Sequence, residues 1–122
     1  MRYTIDRDAR VFHLDLNRPV SAQRALEQSL ALLAAEPDLW SWDWIVDART
    51  VPEDASVEQI ARLARMFAMQ PAVAATTVLV SEDRYLHLWA KVMDFQFPRR
   101  KHLVVTDIAQ ARKLIDARRP PR

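Results

Sequence analysis

Asp43-Trp44-Ile45-Val46-Asp47 decides the fold. Three apolar residues between acids fit a short strand buried on both faces, the kind that lies inside a sheet covered by helices. Upstream, Ala22, Leu26, Leu30 and Leu33 share one stripe at helical spacing over residues 22–35. Ser21 stands where an N-cap belongs, and Pro37 closes that helix region. Before it, residues 2–6 and 10–16 read as strands joined at Arg7-Asp8-Ala9. Phe12, Leu14 and Leu16 alternate with His13 and Asp15, the period of a half-buried strand, and Asn17-Arg18-Pro19 breaks the pattern.

Downstream, residues 51–55 form a loop. Ser56-Val57-Glu58-Gln59 then has the spacing of a capping box, in which serine and glutamine each meet an orphan backbone N–H. Ile60, Leu63, Ala64 and Phe67 continue as that helix's buried face to about Met69. Thr76-Thr77-Val78-Leu79-Val80 is a β-branched strand. Ser81 is expected to start a helix carrying Tyr85, Leu88, Trp89 and Val92. Residues 101–106 form the last strand, and Asp107 with Gln110 caps a helix that turns Ile108, Ala111, Leu114 and Ile115 inward. The order β-β-α-β-α-β-α-β-α predicts an α/β fold, a five-stranded mixed sheet with four helices, opening on an antiparallel hairpin. Residues 1–118 are expected to form a single domain, followed by a basic tail at 119–122.

Composition removes several function classes. With no glycine among 122 residues, neither a P-loop nor a dinucleotide fingerprint can be built, because both need backbone close to phosphate. With no cysteine, disulfides, thiolate metal sites and a cysteine nucleophile are excluded. His13, His87 and His102 fall at no metal-ligand spacing, so neither metal nor cofactor is expected. Residues 1–61 carry net charge −5 and residues 62–122 carry +7, a polarity that can steer a partner or favour head-to-tail contact. The basic side chains concentrate in Arg99-Arg100-Lys101-His102 and at the C-terminus, too few and too local to argue for nucleic acid. The longest apolar stretches run only a few residues, and Met1 to Asp6 reads as a strand, so no membrane span and a cytoplasmic address are expected.

Two sets of residues are candidates for function. In open α/β sheets ligands lie beyond the carboxyl ends of the parallel strands, where Asp47, Arg49 and Thr50 follow the third strand. Asp47 and Arg49, two apart, point to one face, as an anion-binding or acid/base pair or as a turn-stabilising ion pair. Together with Asp54 and Ser56 they make the expected partner-binding surface. The second set is aromatic. Trp40, Trp42 and Trp44 are spaced by two, Tyr85 and Trp89 by four, and Phe95 follows. Trp40, Trp42, Tyr85, Trp89 and Phe95 could line an apolar ligand pocket, or could simply complete the core. No nucleophile–base set can be drawn, so no catalytic residue is named.

The opening hairpin, the strand Trp44-Ile45-Val46-Asp47-Ala48-Arg49 and the ending His102-Leu103-Val104-Val105-Thr106-Asp107-Ile108-Ala109-Gln110-Ala111 give the chain a resemblance to the STAS-like, SpoIIAA-like group of small bacterial proteins. The anti-sigma-factor antagonists of that group carry an Asp-Ser-[Ser/Thr]-Gly turn whose first serine a kinase phosphorylates. The matching stretch here is Asp54-Ala55-Ser56-Val57, with alanine in place of the phospho-acceptor and valine in place of glycine. The resemblance therefore implies a non-enzymatic, cytoplasmic regulatory module that binds another protein, or itself as a homodimer, without that phospho-switch. The fold also resembles the lipid-carrying CRAL-TRIO domains, which implies the alternative of a carrier or sensor for a small apolar ligand.

Overall fold

The computed structural model describes residues 2–17, 21–49, 54, 56–70, 74–83, 85–97 and 99–119, with the side chains of Ile60, Ala64, Phe67 and Tyr85 outside that set. The strands are β1 (Arg2–Asp6), β2 (Val11–Asp15), β3 (Asp43–Asp47), β4 (Ala75–Val80) and β5 (Arg100–Val105). The helices are α1 (Ala22–Ala35), α2 (Val57–Ala68), α3 (Tyr85–Gln96) and α4 (Ile108–Arg118), with a 3₁₀ turn at Pro37–Ser41. The strands lie in sequence order, β1-β2-β3-β4-β5. β1 and β2 are antiparallel, and the other pairings are parallel. The architecture is thus α/β, a five-stranded mixed sheet with four helices.

Because every parallel crossover advances to the next strand in one direction, right-handed connections lay successive helices on one face. Phe12, Trp44, Val46 and Leu79 from the sheet meet Leu33 of α1 and Leu86 and Ala90 of α3 there. The alternate residues Val11, Ile45, Val78 and Val80 meet Ala111 and Ile115 of α4 on the opposite face. The acids flanking Trp44-Ile45-Val46 close the ends of a strand whose middle is buried from both sides. α2 leans on α1 and α3.

Local chemistry sets the boundaries. Ser21 Oγ accepts from Arg24 N, and Asp107 Oδ1 accepts from Gln110 N at 2.8 Å, so both N-caps form at the spaced positions. In the hairpin turn Asp6 Oδ1 accepts from Ala9 N at 3.0 Å. Arg10, read from sequence as the first residue of the second strand, belongs to this turn with φ +54°. A chain without glycine must put a side chain in that left-handed position, at a cost of roughly 1 kcal/mol.

Other expectations are corrected. Ser81 does not open a helix: it is buried, its Oγ accepts from Asp83 N at 3.1 Å, and α3 begins at Tyr85. The helix accordingly buries Leu86 and Ala90 and leaves Leu88 exposed. Trp40, Trp42 and Trp44 do not share a strand face, because Pro37 starts the 3₁₀ turn and only Trp44 lies in a strand. Within the basic cluster Arg99-Arg100-Lys101-His102, Arg100 and His102 are buried. At the C-terminus Arg119 is tied down, its Nε 2.8 Å from Asp43 Oδ2, while 120–122 lie outside the described residues. Among the described residues no helix is long and apolar enough to cross a membrane.

Candidate functional site

Between the sheet and helices α1, α2 and α3 lies a cavity of about 220 Å³. Leu14 of β2, Trp44 and Val46 of β3 and Leu79 of β4 form its floor. Leu26 of α1, Leu63 of α2 and Trp89 and Met93 of α3 form its walls and roof. Volumes of this kind persist where neighbouring side chains cannot collapse together. At the amino ends of the strands the lining turns polar, with Thr77, Arg100 and His102, and at the start of α2 it includes Ser56 and Gln59.

Arg100 is 6% exposed. Its Nη1 donates to Thr77 Oγ1 at 3.0 Å, and its Nη2 donates to the carbonyls of Trp40 and Trp42 at 3.0 and 2.8 Å. The guanidinium lies 5.1 Å from the centre of the Trp44 ring, within reach of a cation–π attraction. Burial pulls its pKa down to about 10, against the pull of Asp43, so it stays charged at neutral pH.

His102 is paired with Thr77 across the β4–β5 ladder and points to the same side of the sheet as Arg100. Asp94 of α3 holds it twice, its Oδ1 accepting from the backbone N–H at 2.6 Å and lying 3.1 Å from Nδ1. The other Asp94 oxygen takes Lys101 Nζ at 2.8 Å. Burial opposes the ionised form of Asp94, but hydrogen bonds from Lys101 and from His102 win and hold its carboxyl below the usual range. His102 goes the other way. Burial drives its pKa down to about 4 despite Asp94, so the ring is neutral at pH 7.

Each described member of the partner set expected from the sequence is engaged in a local contact of its own. Asp47 is 3% exposed at the end of β3, and the alternation that sends Trp44 and Val46 to the cavity sends it to the other face. Arg49 folds back on it in a bidentate pair, Nε to Oδ1 at 2.9 Å and Nη2 to Oδ2 at 2.7 Å. Burial raises the pKa of Asp47, but the bonds from Arg49 and Asn17 outweigh it and the carboxyl sits below its ordinary value. Asp54 accepts from the backbone N–H groups of Ala22 at 2.6 Å and Gln23 at 3.1 Å, closing the N-terminus of α1 across 32 residues of chain. Ser56 and Gln59 cap α2 reciprocally, at 2.9 and 3.3 Å. Among the described members of the partner set, Ser56 borders the cavity, as does its capping partner Gln59. Thr50 lies outside the described residues.

Of the aromatic set, Trp89 lines the cavity, joined by Trp44. Trp42 is buried and Trp40 packs against the same core cluster, both beside the cavity without lining it. Phe95 is 86% exposed and takes no part in the lining. The side chain of Tyr85 is outside the described set. Arg100, His102 and Asp94 were not singled out from the sequence; continuing the strand alternation of β5 backwards would have put 100 and 102 on one face. A second groove, of about 570 Å³, carries Arg99, Arg118 and Arg119, but Asp43 already takes Arg119, and Arg118 Nε donates to Thr76 Oγ1.

No protein-family model, curated protein or solved structure matches this chain.

Proposed function

We propose that this chain is a non-enzymatic, cytoplasmic binding module that holds a small apolar molecule in the cavity beneath α2, as a carrier or a sensor. One observation carries the reading: a cavity of about 220 Å³ walled by leucine, valine, methionine and tryptophan, with a few polar groups gathered at its ends. That is the usual make-up of a small-molecule site. A dry cavity near 150 Å³ takes benzene, so this one suits about nine non-hydrogen atoms. The likeness to CRAL-TRIO domains, which enclose hydrophobic ligands, supports it further, and the STAS-like resemblance fits the same non-enzymatic class.

Tryptophan fluorescence tests this directly, because Trp44 and Trp89 both border the space. Titration with 1-octanol and short fatty acids should give a saturable change, weakened in an Ala25→Met variant that pushes a larger side chain into the cavity. A flat response across the panel contradicts the reading. The protein-interaction reading keeps one observation in its favour, since Val57 and Met66 of α2 and Met69 just past its end are exposed, at 50%, 38% and 76%. Sedimentation velocity would then show a homodimer that Met69→Glu disperses; a monomer at every concentration counts against it.

A further inference from the structure

We infer that the occupant of this cavity carries one hydrogen-bond donor, a hydroxyl, which His102 Nε2 accepts. The inference rests on the apolar-ligand reading and adds the chemical class. Asp94, held ionised by Lys101 and His102, offers only acceptors, so the proton of the neutral imidazole sits on Nδ1 and points to Asp94 Oδ1. Nε2 then carries a lone pair. It makes no hydrogen bond among the described residues, and the ring that bears it belongs to the cavity lining with a side chain only 3% exposed. The ring cannot swing to another acceptor site: Phe97 packs on it at 5.2 Å between centroids, and Asp94 fixes its far edge.

A purely apolar occupant would strip water from Nε2 and leave a buried acceptor unmet. A hydroxyl satisfies it, and the Arg100 guanidinium in the same wall favours an electron-rich oxygen beside it. A small phenol of about nine non-hydrogen atoms meets all three conditions of size, apolarity and one donor.

The matched probes are 4-ethylphenol and 4-ethyltoluene, which exchange OH for CH₃ at constant size. The protein should bind the phenol at least about tenfold more tightly, since a site with a buried acceptor discriminates against the analogue that lacks the donor. In His102→Phe that preference should vanish while 4-ethyltoluene still binds. As a check that needs no substitution, the ¹⁵N resonance of His102 Nε2 should move towards lower shift with the phenol and stay put with 4-ethyltoluene. Equal binding of the two probes, with no nitrogen shift, overturns the hydroxyl inference and leaves the apolar cavity reading intact. Tighter binding of 4-methylbenzoate than of the phenol overturns it in favour of an anion at Arg100. Binding of none of the three removes both.

Discussion

Arg100 has the most demanding position of any charged residue described. Its guanidinium donates to Thr77 Oγ1 of β4 and to the carbonyls of Trp40 and Trp42 at one end of the core. Arg100→Lys cannot reproduce that fork, because a lysine has no planar pair of amino groups to span Thr77 and the two tryptophan carbonyls. It should cost at least about 2 kcal/mol by leaving buried acceptors unmet, roughly a 10 °C fall in Tm measured by calorimetry. Asp54 is the complementary case, exposed but holding two helix N–H groups. Asp54→Ala should lower Tm at neutral pH. These backbone bonds hold its pKa below the ordinary carboxylate value, so the difference from wild type should close as pH falls through the folded-state value. Neither role was legible in the sequence. Arg100 sits in a run of basic residues whose order does not say which side chains turn inward, and the Asp54 bonds join residues 54 and 22, a contact that exists only once the chain is folded. The Ser56–Gln59 box and the Asp107 cap were legible, since both partners lie within one turn.

The helices divide by what they cover. Among the described helices α4 is the one that covers the second face, anchored by Ala111 at 0% and Ile115 at 1% exposure. Ile115→Ala should therefore cost about 3 kcal/mol, read from urea unfolding. α2 roofs the cavity and exposes Val57 and Met66, so it should be the first helix to open. Amide hydrogen exchange should be faster in α2 than in α4, and a cavity ligand such as 4-ethylphenol should slow α2 selectively. Equal exchange in the two helices, unmoved by the ligand, would contradict a roof role. Existence and order of the elements followed from periodicity and caps. Local competition decided what was missed: Pro37 winds Trp40 and Trp42 out of the strand period, and the Ser81 hydroxyl closes a turn four residues ahead of α3.

At the scale of the whole molecule, stability is tied to pH through His102. Its pKa is about 4 when folded against 6.5 for an ordinary histidine, because burial resists the charge. Between those values the unfolded chain binds a proton that the folded chain refuses, so stability is complete above pH 6.5 and is lost progressively down to about pH 4. The loss amounts to about 3 kcal/mol. Below that, Asp47 and Asp94, both held ionised by basic partners, lose their pairing as they take up protons. His102→Phe should flatten the curve of Tm against pH from 6.5 to 4 and leave the acid limb in place; an unchanged slope would show that the ring is not buried in solution. The cavity itself was not legible in the sequence, because it depends on how α1, α2 and α3 sit over the sheet, a placement that no spacing of residues records.

Methyl-labelled NMR shows whether the space beneath α2 binds a small apolar molecule. Leu14, Leu26, Val46 and Leu79 border the cavity, while Val11, Ile45 and Ile115 lie on the α4 face. Titration with 4-ethylphenol should shift the first group saturably, with contacts from the probe to those methyls, and leave the second group in place. Shifts spread evenly over both faces, or none up to the solubility of the probe, would mean that this space is not a binding site.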